Sequence, residues 1–127
     1  MKRIGLISSS RVFAQSFAEA MEARPELGFT PLLLLNPRQA LLDAELMELD
    51  LVVLDIAAES VKKSELLLPF CREIRKRLPN CRIVLLAFQD DKEVRELVRN
   101  AVKGNDADDF VFYDTSLEYM FAKLASL

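Results

Sequence analysis

The sequence predicts an α/β domain, a doubly wound, five-stranded parallel sheet of flavodoxin-like strand order 2-1-3-4-5. Three observations lead there. Five short apolar runs alternate with five stretches of helical periodicity, the pattern of a parallel sheet with helices on both faces. The runs are almost continuously apolar, as strands buried on both sides are. The second run contains Pro31, which an edge strand tolerates and a central one does not, and the order 2-1-3-4-5 puts that strand at an edge. A chain of 127 residues suits one compact domain spanning 1–127, so a single domain without an output domain is expected.

The first run is Ile4 to Ile7, followed by Phe13, Phe17, Ala20 and Met21 on one helix face. Phe29 to Leu35 forms the second strand. Asn36-Pro37-Arg38-Gln39 then reads as a helix start, with Asn36 as cap and Pro37 at the first helical position. The third strand, Leu51 to Leu54, ends at Asp55. Past a looser segment from Ile56 to Lys63 comes a helix carrying Phe70, Cys71, Ile74 and Leu78. Pro69 implies that this helix either starts near it or kinks there. Ile83 to Leu86 is the fourth strand, after which Asp90 or Asp91 caps a helix with Val94, Leu97, Val98 and Ala101 inward. Phe110 to Tyr113 is the fifth strand. Thr115-x-x-Glu118 reads as a capping box for a last helix with Leu117, Met120, Phe121 and Leu124 inward.

Composition removes several classes of function. Hydrophobic residues make up 51% and charged residues 29%, enough for a core and against disorder. The formal net charge of -3 gives no overall attraction to nucleic acid. No apolar run approaches the roughly 20 residues that span a bilayer, and Ile4 to Ile7 is too short for a secretory segment, so a cytoplasmic location is expected. With no His in the chain, Cys–His and Ser–His catalytic pairs and a phosphohistidine carrier are excluded. Cys71 and Cys81 match neither zinc nor C-x-x-C redox spacing.

In an open parallel sheet, sites form beyond the carboxyl ends of the strands near the switch in strand order. The loops there present Ser8-Ser9-Ser10, Asp55, Ala87-Phe88-Gln89 and Tyr113-Asp114. With the fivefold βα alternation, the run Asp50 to Ile56 and the run Ala107 to Val111, the whole chain resembles the receiver domains of bacterial response regulators (the CheY-like superfamily). The resemblance implies that Asp55 matches the aspartate that accepts a phosphoryl group from a histidine kinase. It places Ser8 and Ser9 at the acidic pair that holds Mg²⁺, Ala87 at the phosphoryl-binding Thr or Ser, and Tyr113 at the Lys. Phe110 falls at the aromatic switch position, and Glu59 and Lys63 fall where the usual Pro and Gly are missing.

Those departures have a physical cost. Attack by a carboxylate on a phosphoryl group needs a metal and fixed cations to neutralise charge, and Mg²⁺ is held by carboxylates and waters. Two neutral serines, an alanine and a tyrosine supply none of this. The expectation is therefore a degenerate receiver, a non-enzymatic signalling module of two-component type that acts by protein–protein contact, with no cofactor, Mg²⁺ included. Two alternatives stay open at this point. Asp55 accepts a phosphoryl group with an atypical Mg²⁺ site, or the Ser8–Ser10 loop binds an anion or small molecule at the helix N-terminus.

One of these serines reads more simply as the helix cap, and the serines can also hydrogen-bond Asp55 and close the site without metal. Asp90 and Asp91 read as caps rather than ligands. Phe88 and Tyr113 are expected to flank the pocket. Arg72, Arg75, Lys76 and Arg77 read as a solvated helix face. A protein partner is expected, with neither nucleic acid nor membrane. A homodimer is expected through the fourth helix, fifth strand and fifth helix, where Lys92, Arg95, Arg99 and Lys103 lie opposite Asp106, Asp108, Asp109, Glu118 and Lys123.

Overall fold

Parallel strands buried on both faces need helices on both sides, and the chain forms that arrangement. The structure is a computed structural model that describes residues 2–36, 38–56 and 64–127. Its strands are β1 (Lys2–Ile7), β2 (Phe29–Leu34), β3 (Leu51–Asp55), β4 (Arg82–Ala87) and β5 (Asp109–Phe112). Its helices are α1 (Arg11–Glu22), α2 (Ala40–Met47), α3 (Ser64–Arg77), α4 (Lys92–Lys103) and α5 (Leu117–Ala125), with a 3₁₀ turn at Pro25–Leu27. All strand pairs are parallel in the order β2-β1-β3-β4-β5, as the sequence predicts. Pro31 sits in the edge strand β2, opposite Ile4 of β1.

Because side chains alternate across a strand, the sheet divides its apolar residues between two clusters. Ile4, Leu6, Leu51, Val53, Val84, Leu86 and Val111 pack with Phe17, Met21, Met120 and Phe121 of α1 and α5. Ile7, Val52, Leu54, Ile83, Leu85 and Ala87 pack with Ala40, Leu67, Ile74 and Val98 of α2, α3 and α4.

Local expectations fare unevenly. Asp91 caps α4, accepting from the N–H groups of Glu93 and Val94. Pro69 lies inside α3, which starts at Ser64 rather than at the proline. Asn36 does not cap α2: its side chain accepts from Arg38 N, its carbonyl accepts from Gln39 N, and the helix begins at Ala40 after that turn. Pro37, Glu59 and Lys63 lie outside the described residues. The α5 cap is Ser116, which accepts from Tyr119 N, so the helix starts one residue later than a Thr115 cap implies. The shift turns Leu117 outward, 51% exposed, while Met120, Phe121 and Leu124 are buried as expected.

Candidate functional site at the carboxyl edge of the sheet

Backbone pairing fixes where the site residues stand. Ser8 N donates to Leu34 O, Ile56 N to Leu86 O, and Tyr113 N to Ala87 O at 3.0 Å. Each pairing carries a strand's hydrogen bonding just past its last residue. Ser8 continues the alternation of Ile4 and Leu6, Asp55 that of Leu51 and Val53, and Tyr113 that of Val111. All three side chains therefore leave the sheet on the α1–α5 side.

They meet there. Ser8 is fully buried, and its hydroxyl donates to Asp55 Oδ2 at 2.7 Å while accepting from Ser10 N at 3.1 Å. Ser10 in turn caps α1, accepting from Phe13 N. The Tyr113 hydroxyl donates to Asp55 Oδ1, and Asp55 is only 3% exposed. Burial pushes the Tyr113 phenol well above its ordinary range, and the hydrogen bond and charge of Asp55 push it the same way, so its proton stays on the phenol oxygen. Two neutral hydroxyls are thus among the groups that satisfy this buried carboxylate.

Three rings cover this cluster. The Tyr113 ring lies 4.4 Å from that of Phe88 at an interplanar angle of 32°, and 5.4 Å from Phe13 edge-on at 71°. Phe88 itself is 54% exposed. Phe88 and Tyr113 flank the cluster, and Tyr113 also reaches into it. Ser9 is exposed. Ala87 faces the other cluster with α2, α3 and α4, and Phe110 packs there against Phe112 at 5.3 Å. Neither Ala87 nor Phe110 shares the face of Asp55. Phe13, read from sequence only as a core position of α1, is the residue of this site that the sequence reading missed. Its spacing marked it as apolar, and nothing in that spacing pointed to Tyr113.

Among the described residues the donor set does not suit Mg²⁺. That ion favours a near-octahedral shell built on carboxylates, and here the two positions matching the acidic pair are serines. One serine hydroxyl spends its proton on Asp55. Among the described residues no group of three or more His, Cys, Asp or Glu side chains could hold a metal ion. The cysteines offer no nucleophile: burial above all pushes the thiols of Cys71 and Cys81 up to about 12.

The charged side chains also differ from expectation. The basic stretch of α3 is not merely solvated. Arg72 pairs with Asp106 at 2.9 Å, while Arg75 pairs with Asp108 at 3.2 Å and donates to Asn105 O at 2.9 Å. It therefore clasps the turn between α4 and β5. Asp109 is paired with Lys123, and Glu118 with Arg24. The acids expected to face a second copy are thus engaged within the chain.

No protein-family model and no curated protein matches this chain. Solved structures do. A response regulator from Burkholderia pseudomallei, with a phosphorylated aspartic acid, a calcium ion and citrate, is similar at TM-score 0.76 and 24% identity, covering 99% of this chain and 69% of that one. The response regulator TrrA from Thermotoga maritima, in complex with Mg²⁺-BeF, is similar at TM-score 0.76 and 23% identity over 99% of this chain and 98% of the other. A DNA-binding response regulator of the LuxR family from Staphylococcus aureus reaches TM-score 0.78 at 18% identity, with the same coverage. The chain has the receiver (CheY-like) fold over essentially its whole length.

Proposed function

We propose that this chain is a receiver-like signalling module of two-component type that works by protein–protein contact without phosphorylation of Asp55. The observation that carries the reading is the pair of hydroxyl donors on the Asp55 carboxylate, from Ser8 and Tyr113. In a working receiver that carboxylate must attack phosphorus beside a cation and a metal. Here its oxygens point at protons, and the Tyr113 ring lies where an incoming phosphoryl group would need fixed positive charge. The module needs no cofactor and performs no catalysis of its own.

Its output is contact. The groove beside β5 and α5, about 420 Å³, is lined by residues including Phe110, Tyr119 and Lys123. Tyr119 is 52% exposed, and Lys123 Nζ sits 5.1 Å from its ring centre. Receivers commonly signal through this α4–β5–α5 face, and we assign the same role to it here. The internal pairing of Asp106, Asp108, Asp109 and Glu118 favours a different protein over a second copy as the occupant. No described helix is long and apolar enough to cross a membrane, and we place the module in the cytoplasm.

The test is intact-protein mass after incubation with acetyl phosphate and Mg²⁺, with wild type and Asp55→Ala in parallel. The reading expects no phosphoryl increment on either. An increment on wild type alone would return the chain to the phospho-accepting receivers.

A further inference from the structure

Tyr113 is held on Asp55 from outside as well as inside. Phe88 follows Ala87, whose carbonyl accepts from Tyr113 N, so the two rings stand on adjacent, tied strand ends. The guanidinium of Arg95 in α4 donates to Gln89 O at 2.5 Å and steadies the loop that carries Phe88. Phe13 meets the Tyr113 ring edge-on at 5.4 Å and is partly buried, whereas Phe88 on the other side is 54% exposed.

We infer that Phe88 is a solvent-facing control on Asp55: its ring keeps the Tyr113 phenol seated on the carboxylate, and whatever draws Phe88 away releases it. The inference rests on the reading that the module works by contact without phosphorylation of Asp55. The chain of contact is short and continuous, Phe88 ring to Tyr113 ring to Asp55 Oδ1. Coupling of this kind is reciprocal, so a change at Asp55 also alters how readily Phe88 is captured. An aromatic pair shifts such an equilibrium by about tenfold at most. Phe88 alone therefore biases the seat of Tyr113 without deciding whether the domain folds. Asp55 stays shielded while Phe88 is free, and a partner that buries the Phe88 ring in its own apolar surface opens the cluster at a distance from its own contact.

Two readouts test this on the full chain. The first is nitration of tyrosine by tetranitromethane, mapped by peptide mass, because only a released phenol reacts. The exposed Tyr119 serves as the reference within the same molecule. The second is the ¹³C resonance of the Asp55 carboxyl carbon, which reports loss of the phenol hydrogen bond. In Phe88→Ala the Tyr113 rate is expected to rise up to about tenfold relative to Tyr119, and the Asp55 resonance to move toward its position in Tyr113→Phe. Leu46→Ala, at a residue 72% exposed on α2, is expected to change neither.

Faster nitration with an unmoved Asp55 resonance would mean that Phe88 only covers the ring, and would overturn the inference. So would an unchanged rate. Either result leaves the acetyl phosphate experiment to judge the phosphorylation-independent reading separately. Circular dichroism melting of Phe88→Ala confirms that the comparison is made between folded chains.

Discussion

Two aspartates at opposite ends of the sheet solve the same problem in different ways. Asp55, at the carboxyl end of β3, is held by the hydroxyls of Ser8 and Tyr113. Asp108, just before β5 at the amino end of β4, is held by charge: its oxygens pair with Arg75 at 3.2 Å and Arg82 at 3.3 Å, and accept from Ile83 N at 2.7 Å. Burial works against the ionised Asp108, but the Ile83 N–H and the two guanidiniums outweigh it and hold its carboxyl below the ordinary range. The amino end is therefore an ion-paired clasp in which stability and charge agree. At the carboxyl end the described donors to the carboxylate are two neutral hydroxyls.

The sharpest way to break the contrast is to give the carboxyl end its charges back. The combined substitution Ser8→Asp, Ser9→Asp, Ala87→Thr and Tyr113→Lys restores the acidic pair, the hydroxyl and the cation. The expected result is Mg²⁺-dependent labelling by acetyl phosphate, lost on further Asp55→Ala. An unlabelled but folded quadruple variant would show that the defect lies beyond these positions.

Next in size is Asp108→Ala, expected to cost about 2–3 kcal/mol in urea unfolding because it strands the Ile83 N–H and removes the carboxylate that Arg75 and Arg82 share. Its pH dependence has a definite sign. A carboxyl held below its unfolded value contributes stability above that value, and the contribution disappears as pH falls through the folded value. The stability gap between wild type and Asp108→Asn should accordingly narrow as pH drops below about 3.8. A gap independent of pH would remove charge from the account of this end.

At the other end, Ser8→Ala should cost about 2 kcal/mol, since one buried hydroxyl serves both Asp55 and Ser10 N. Tyr113→Phe should cost about 1–2 kcal/mol, because the ring packing stays and only the donor to Asp55 is lost. The smallest effect is expected from Arg72→Ala, about 0.5 kcal/mol or less and reduced further by salt, because 64% of that side chain is exposed.

Sequence and structure agree where one period governs the chain. Alternating apolar runs gave the strands, and Pro31 named its own edge. The sequence puts Asp55 at the end of the third strand, and a hydrogen bond from the serine loop to Asp55 is one of the arrangements it allows. The reach of Tyr113 was not read, although its signal is present: residues 55, 111 and 113 follow the strand alternation onto one face. Using that signal requires knowing that the chain stays paired with β4 beyond Phe112, which depends on a bond between positions 87 and 113. Helix starts failed for a more local reason. Asn36 and Thr115 are good caps, but Asn36 is satisfied by a turn and Ser116 is an equally good cap one residue on. The basic stretch of α3 was read as solvated because its partners, Asp106 and Asp108, lie about thirty residues away and no helical spacing connects them.

The proline of the edge strand bears on how this domain can join another molecule. An open sheet normally offers its border as a template onto which a foreign strand zips, amide by amide. At Pro31 the border lacks an amide hydrogen, so a strand laid along β2 meets a gap in the ladder and loses register there. Fibrillar growth through that border is blunted for the same reason. Recognition on that side is left to side chains, whose shape and polarity can select one partner, while the backbone, which would accept almost any extended chain, stays closed to strangers.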